Sequence, residues 1–329
     1  MMKRKVWVIS MPLCMVLIFL FVRIEFRSRL HDFVDSGEPK MCACTSCVKE
    51  PQKDPWFMER YDGRVPIFMN RTNSKLSEPT QNWWMMLQPY HKMKYRDVVE
   101  PLFLHFPDKE HYNDAGPDRC RTCAVVGNSD NLIGSHYGHL IDSHDFIIRM
   151  NQGPTVGYER DVGLKTTHRA MYPESAMDLD NSTHLVLLPF KVLDMEWLIS
   201  IFTTKNITRT YKNIKPTIQA NKDKVMIMSP EFMRYVYKNW SMEHGKYPST
   251  GFLTLMLTLH ICDQVNVFGF GARKNGIWYH YYDKTYHQSM HSVEHNGNIE
   301  YNFMLELEKR NKIKMYKGWQ HETYQNVSD

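Results

Sequence analysis

From Arg121 onward the chain alternates short, near-continuous apolar runs with longer helical stretches, and no other feature restricts its fold as tightly. Ala124–Val126, Phe146–Met150, His184–Pro189, Lys224–Met228, Gln264–Phe268 and Lys312–Tyr316 read as strands. Leu193–Thr203, Pro230–Trp240, Thr250–Ile261 and Ile299–Arg310 read as helices, with another near Gln81–Gln88. A strand that is apolar along its whole length has no face to give to water, so it must be covered on both sides. Strands separated by helices pair in parallel through crossovers. The expected fold class is therefore α/β, a mostly parallel sheet with helices on both faces.

Ligands of such sheets sit beyond the carboxyl ends of the strands. Asn128, Asn151 and Gly271 each follow a predicted strand directly and would converge there. Gly127-Asn128-Ser129 supplies a tight turn with polar donors. Pro248-Ser249-Thr250-Gly251 precedes a strongly apolar run, the pattern of a helix N-terminus. The free N–H groups and dipole of that terminus favour an anion such as phosphate. A polar turn beside an anion-ready helix start points to a nucleotide site, although a plain α/β core contains the same pieces. Neither GxGxxG nor GxxxxGK[ST] occurs, so the standard dinucleotide and P-loop sites are excluded.

The net charge of +5 is modest, and basic residues are scattered among acidic ones, which excludes a nucleic-acid-binding stripe. The N-terminus stands apart. Lys3-Arg4-Lys5 precede an apolar run from Val6 to Val22 that Arg23 closes, and no small-residue cleavage signal follows. The cationic flank predicts a cytosolic tail at 1–5, a signal-anchor span at 6–22, a polar stem at 23–41 and a lumenal body at 42–329. A span this short suits the thinner membranes of the early secretory pathway. Glycosylation triplets begin at Asn70, Asn181, Asn206, Asn239 and Asn326. Six cysteines lie outside the span: Cys42, Cys44, Cys47, Cys120, Cys123 and Cys262. An even count in an oxidising compartment favours three disulfides; a metal knuckle is the alternative.

Four histidines, His280, His287, His291 and His295, crowd a distal segment rich in tyrosine that reads as a loop. Their spacing matches no zinc helix and no Cys or Asp completes a tetrahedral set, so acid–base chemistry is the better use of them. The one Asp-x-Asp spacing, Asp178-Leu-Asp180, falls before a glycosylation triplet and reads as surface loop. No metal site is expected. A donor with a single phosphate needs none, because a helix N-terminus, a hydroxyl and an imidazole can meet it.

These pieces resemble the eukaryotic Golgi sialyltransferases, most closely the β-galactoside α2,3-sialyltransferases that act on Galβ1-3GalNAc. The large motif runs from Cys123 to Arg169 and the small motif from Tyr247 to Ala272. The third is His280-Tyr281-Tyr282-Asp283, and the very small motif is His295 with Glu300 five places on. With the early cysteine cluster and the Trp83-Trp84 pair, the resemblance covers everything from Cys42 onward. It implies a modified Rossmann-like (GT-A-like) single catalytic domain anchored as a type II protein in the Golgi membrane. The donor would be CMP-sialic acid, with no cofactor and no metal, and the acceptors would be galactose-terminated glycoproteins or glycolipids. Asn128 and Asn151 would bind the nucleotide, and Tyr211 and Tyr247 would lie toward phosphate and sugar. Ser249, Thr250, Gly251 and Gly271 would close around cytidine or phosphate. His295 would be the general base at O3 of galactose, and His280 would donate to the phosphate as CMP leaves. Gln88 would touch the acceptor. The disulfides would pair Cys42 with Cys47, Cys44 with Cys120 and Cys123 with Cys262.

The chain departs from the family pattern at Tyr282 and Asp283, where Trp and Glu are usual, and at Asn296, where close relatives carry an acid. The spacing from His280 to His295 is two residues tighter than expected. The same chemistry on another galactoside such as Galβ1-4GlcNAc, or a non-catalytic glycan- or nucleotide-binding relative, are the alternative readings.

Overall fold

In chain order the elements are α1 (Pro55–Arg60), α2 (Glu78–Met86), α3 (Tyr95–His105), β1 (Thr122–Val126), α4 (Gly138–Asp142), β2 (Phe146–Met150), α5 (Glu159–Val162), β3 (His168–Met171), β4 (His184–Leu187), α6 (Val192–Phe202), β5 (Val225–Ile227), α7 (Pro230–Asn239), α8 (Thr250–Ile261), β6 (Gln264–Phe268), β7 (Trp278–His280), β8 (Asp283–His287), α9 (Gly297–Lys309) and β9 (Lys314–Tyr316). They come from a computed structural model that describes residues 21, 23, 25, 40–50, 54–88, 94–272, 278–287 and 294–318, without the side chains of 278 and 284–287. The tail at 1–5, nearly all of the apolar run at 6–22, most of the stem at 23–41, His291 and the Asn326 triplet lie outside the described residues. The chain divides into two compact units, Met1–Met41 and Cys42–Asp329, and every element named here belongs to the second. Among the described residues no helix is long and apolar enough to cross a membrane.

Seven strands form one sheet in the order β5-β4-β3-β2-β1-β6-β9, and every neighbouring pair is parallel. From β1 the chain winds outward through β5, then returns to the other side of β1 as β6, with β9 beyond. The reversal places a topological switch point between β1 and β6. The apolar runs explain the layering, because Cys123–Val126 of β1 and all of β3 and β5 are buried. Helix α8 spans the predicted Thr250–Ile261 and is buried at every position from Phe252 onward. A helix that is apolar all round belongs inside a core. Its threonines bond within the helix, Thr254 Oγ1 to the Thr250 carbonyl and Thr258 Oγ1 to that of Leu255.

The helices α1, α3, α4 and α5 and the strands β3, β7 and β8 were not legible as sequence, and three cases show why. Strand β3 reads His168-Arg169-Ala170-Met171, and two ionisable residues in four hide it. Both are nevertheless buried because each finds partners: the His168 ring bonds the hydroxyls of Thr167 and Tyr112, and Arg169 bonds backbone carbonyls. Helix α3 has Pro101 in its interior and no side-chain cap, which reads as a breaker. The segment read as a histidine-rich loop contains the antiparallel β7–β8 hairpin, a two-stranded sheet of its own.

The segment before the sheet packs onto it through helices. Trp83 of α2 stacks on Tyr237 of α7 with ring centroids 5.3 Å apart, and Trp84 Nε1 donates to the Pro189 carbonyl at 2.8 Å. The disulfides are Cys42–Cys47, Cys44–Cys120 and Cys123–Cys262. All six cysteines are spent, so no thiolate remains for a metal knuckle. The third bond ties the start of β1 to the end of α8. Asp178 and Asp180 are exposed. Asp180 accepts the amides of Ser182 and Thr183, which is turn chemistry.

Candidate active site

At the switch point the turns after β1 and β6 are laced together. The Gly127 amide donates to the Phe268 carbonyl at 2.7 Å and the Ser129 amide to that of Gly269 at 3.0 Å. Ser129 Oγ donates to the Gly271 carbonyl at 2.8 Å, and Asn131 Nδ2 to that of Phe270 at 2.8 Å. A side chain at Gly127 is impossible here, because its Cβ would lie 2.3 Å from the Gly269 carbonyl oxygen. Asn128 is thereby fixed over the strand ends, with Nδ2 donating to the Met150 carbonyl at 3.3 Å. Asn151 ends β2 in the left-handed region, φ +53°. Its Oδ1 is buried with no hydrogen-bond partner among the described residues. A buried acceptor left unmade is costly unless a ligand supplies the donor.

Helix α8 starts beside these turns. Ser249 caps it, its Oγ accepting the Phe252 amide at 3.1 Å. The Ser249 hydroxyl donates to Glu300 Oε2 at 2.5 Å, and its amide donates to Glu300 Oε1 at 2.7 Å. Ser249 is therefore wholly committed to the protein. The amides of Thr250 and Gly251 have no acceptor among the described residues, and they are the anion-ready groups. A Cβ at Gly251 would meet the Phe270 ring at 3.0 Å and Met150 Sδ at 3.5 Å, so this helix start abuts the ends of β2 and β6. Gly271, at φ +101°, lies against the Tyr301 ring. Burial pushes the Glu300 carboxyl up to about 7, while its two bonds from Ser249 pull the other way. The sequence offered Glu300 only as a motif member; its position in the first turn of α9 was the available signal.

The two histidines are hung on this frame by backbone bridges. His280 pairs with Ser129, and its ring stacks on Tyr282 with centroids 4.9 Å apart. The next residue, Tyr281, donates its amide to the Asn128 carbonyl at 3.0 Å and its hydroxyl to that of Pro154 at 2.6 Å. His295 pairs with Gly245, and the Glu294 carbonyl accepts the amides of Lys246 at 2.6 Å and Tyr247 at 3.1 Å. Burial holds the His295 imidazole below the usual histidine range, against the opposing pull of Glu294. Asn296 caps α9, its Oδ1 accepting the Ile299 amide at 3.2 Å. The departure at 296 thus still serves as a helix cap. His287 lies on β8, but its side chain is outside the described ones.

A third wall went unnoticed in the sequence. Lys191 Nζ stands 3.1 Å from Glu174 and 2.9 Å from Asp194, all three buried. Burial pushes Asp194 up to about 6 despite the lysine. The exposed Tyr211 ring lies 5.4 Å from the same ammonium. Tyr247, half-buried against Phe190, has its phenol pushed up to about 12 by burial. Gln88 Nε2 donates to the Trp84 carbonyl at 2.8 Å and the Phe190 carbonyl at 3.2 Å, while Oε1 accepts the Val192 amide at 2.8 Å. It pins the end of α2 to the start of α6, leaving one Oε1 lone pair for anything else.

The ensemble offers amides for a nucleotide phosphate and an unmet acceptor for a hydroxyl or amine of the nucleoside, with two imidazoles at its rim. The model for glycosyltransferase family 29 (sialyltransferase) matches residues 68–312. A mouse CMP-N-acetylneuraminate-beta-galactosamide-alpha-2,3-sialyltransferase 2 is 44% identical over 280 residues, 84% of this chain and 80% of that one. A chicken sialyltransferase 1 of the same description is 42% identical, covering 84% of this chain and 82% of its own. A crystal structure of a mammalian sialyltransferase in complex with Gal-beta-1-3GalNAc-ortho-nitrophenol superposes with a TM-score of 0.78 at 41% identity, covering 84% of this chain and 99% of the other.

Proposed function

We propose a specific reaction for a chain that belongs to glycosyltransferase family 29, the sialyltransferases: transfer of sialic acid from CMP-sialic acid to O3 of a terminal galactose, with Galβ1-3GalNAc as the acceptor. His295 takes the O3 proton as that oxygen attacks the anomeric carbon of the donor from the face opposite CMP. The configuration inverts, and CMP leaves with a proton or hydrogen bond from His280. Asn128, Asn151 and Gly271 hold the nucleotide, and the amides of Thr250 and Gly251 meet the phosphate. Ser249 serves them from behind by fixing the helix start. Tyr211 and Tyr247 flank the sugar, and Gln88 meets the acceptor through its remaining lone pair.

The observation that most supports this reading is the burial of His295 at the rim of an anion-ready helix start. An imidazole kept below its usual range is neutral near neutral pH and so is ready to accept a proton. The only Asp-x-Asp pair of the chain sits in an exposed turn, which favours a reaction without metal. Three disulfides favour an oxidising compartment, in line with a type II anchor and a lumenal body in the Golgi.

The test incubates the detergent-solubilised full chain with CMP-sialic acid and Galβ1-3GalNAc in EDTA, beside His295→Ala. The expected result is EDTA-resistant transfer to O3 that the substitution lowers by about 10²- to 10⁴-fold. CMP binding without transfer to this or any other galactoside would leave a binding protein on a transferase fold.

A further inference from the structure

Two arginines that the proposed mechanism does not use lie side by side in the sheet, and one of them holds the turn after β2. Arg149 of β2 and Arg169 of β3 are register partners on adjacent parallel strands, close to the carboxyl ends. They are 1% and 4% exposed. Among the described residues every hydrogen-bond acceptor of either is neutral. Arg149 bonds the carbonyls of Val162 and Lys165 and the hydroxyl of Thr166 at 2.7–3.2 Å. Arg169 Nη1 bonds the carbonyls of Gly153 at 2.8 Å and Asn151 at 3.2 Å. Arg149 Nη1 and Arg169 Nε are buried with no hydrogen-bond partner among the described residues. No described carboxylate forms an ion pair with either guanidinium. Asp142, the one acid in the electrostatic surroundings of Arg149, is taken by the amides of Leu164 and Lys165. Lys191, buried elsewhere in the fold, has two carboxylates, whereas Lys312 is a lone buried cation met by the carbonyls of Val48 and Glu50. Two adjacent buried cations without an anion are a standing cost, and such sites are where ligands supply what is missing.

We propose that Arg149 and Arg169 are the counter-charge of the donor, offsetting its phosphodiester and carboxylate anions from beneath the turn. The inference rests on the donor reading above. The carbonyls that Arg169 holds belong to Asn151 and Gly153, and a Cβ at Gly153 would lie 2.3 Å from Asn128 Oδ1. Tyr281, adjacent to His280, lies within electrostatic reach of both arginines. Arg169 therefore sits under the residues assigned to nucleotide and phosphate, with Arg149 beside it on the neighbouring strand. The donor carries two negative charges, and two buried guanidiniums answer them without a metal.

A purely structural role, in which the arginines only pin two loops, predicts equal effects on charged and neutral ligands. Isothermal titration of the full chain with cytidine, CMP and CMP-sialic acid separates the two roles. Arg169→Gln is expected to weaken CMP and CMP-sialic acid roughly tenfold and to leave cytidine within about twofold. Arg169→Lys, which keeps the charge, is expected to recover most of the loss. Equal weakening of cytidine and CMP, or no weakening of CMP, overturns the proposal. Should Arg169→Gln fail to fold, ³¹P NMR of CMP bound to His280→Ala replaces it. The phosphate of bound CMP is expected to titrate about one unit or more below that of free CMP, and an unchanged midpoint overturns the proposal. If the unsubstituted chain binds none of the three ligands, the donor reading itself falls, a result distinct from charge-blind binding.

Discussion

The donor half of the site, at the ends of β1, β2 and β6, and the histidine half, at 280–283 and 294–296, are held by different means. In the donor half the backbone of one turn is bonded to the backbone of another, and glycines allow the approach. Gly127 and Gly269 face each other's backbone too closely for a side chain, so the turns cannot be remodelled without displacing main chain. In the histidine half, segments distant in sequence are laid against that frame: Ser129 holds His280, Gly245 holds His295, and Glu300 reaches across to Ser249. Rigidity in the first half is local and steric. In the second it is borrowed through a few hydrogen bonds, leaving the histidines dependent on the frame.

If this contrast is right, the largest effect of a small change falls on the donor half. Gly127→Ala puts a methyl against a carbonyl oxygen that has nowhere to go. It should cost at least about 3 kcal/mol in urea unfolding and abolish CMP binding. Near-normal stability together with normal CMP affinity would show that the switch point yields, and the contrast would collapse. An intermediate effect is expected where the halves join. Glu300→Ala leaves the partly buried Ser249 amide and hydroxyl without their acceptor, a loss of about 2 kcal/mol. Turnover should fall as well, because the starts of α8 and α9 lose their link. A variant that loses stability but keeps kcat would mean that His295 is positioned without Glu300.

The smallest effect concerns pH. With the His295 pKa lowered by burial, its base form is present above that depressed value and is lost as pH falls through it. The acid limb of kcat/KM should therefore have its midpoint below about 6.5, the ordinary histidine value. Trp83→Phe keeps the stack on Tyr237 but removes the 3.2 Å bond from Nε1 to the Lys246 carbonyl, the outer support of the 245–247 segment. The limb should then move upward by a fraction of a unit as water gains access. A limb at or above the ordinary value in the unsubstituted protein would break the link between burial and the base.

Much of the donor half was legible because its determinants are local. A buried parallel strand must be apolar throughout, a tight turn calls for glycine and a polar residue, and Ser249 before an apolar run marks a helix start. Each can be read within a few residues, which is why α8 matched its predicted bounds and Asn128, Asn151 and Gly271 fell at strand ends. The histidine half was legible only as residue types. Nothing within ten residues of His280 announces that its backbone pairs with Ser129, or that the surrounding segment is a hairpin. Gln88 looked available and is occupied at three contacts, all with backbone groups of the protein. Strand β3 stayed hidden because the hydroxyls that hold its His168 and the carbonyls that hold Nη1 of its Arg169 are placed only by the assembled sheet.

The sequence by itself determined the layered α/β architecture, the places where a ligand meets the strand ends, and the residue types available for acid–base work. Those depend on apolar periodicity and turn chemistry, whose range is a few residues. Tertiary structure alone decided which groups remain open and which are consumed among the described residues: Ser249 closed by Glu300, Asn151 Oδ1 left unmet, Lys191 matched by two acids, Arg149 and Arg169 matched by none. Hydrogen-bond satisfaction and the cost of buried charge are properties of the whole packed molecule, because partner and dielectric alike come from residues remote in the chain.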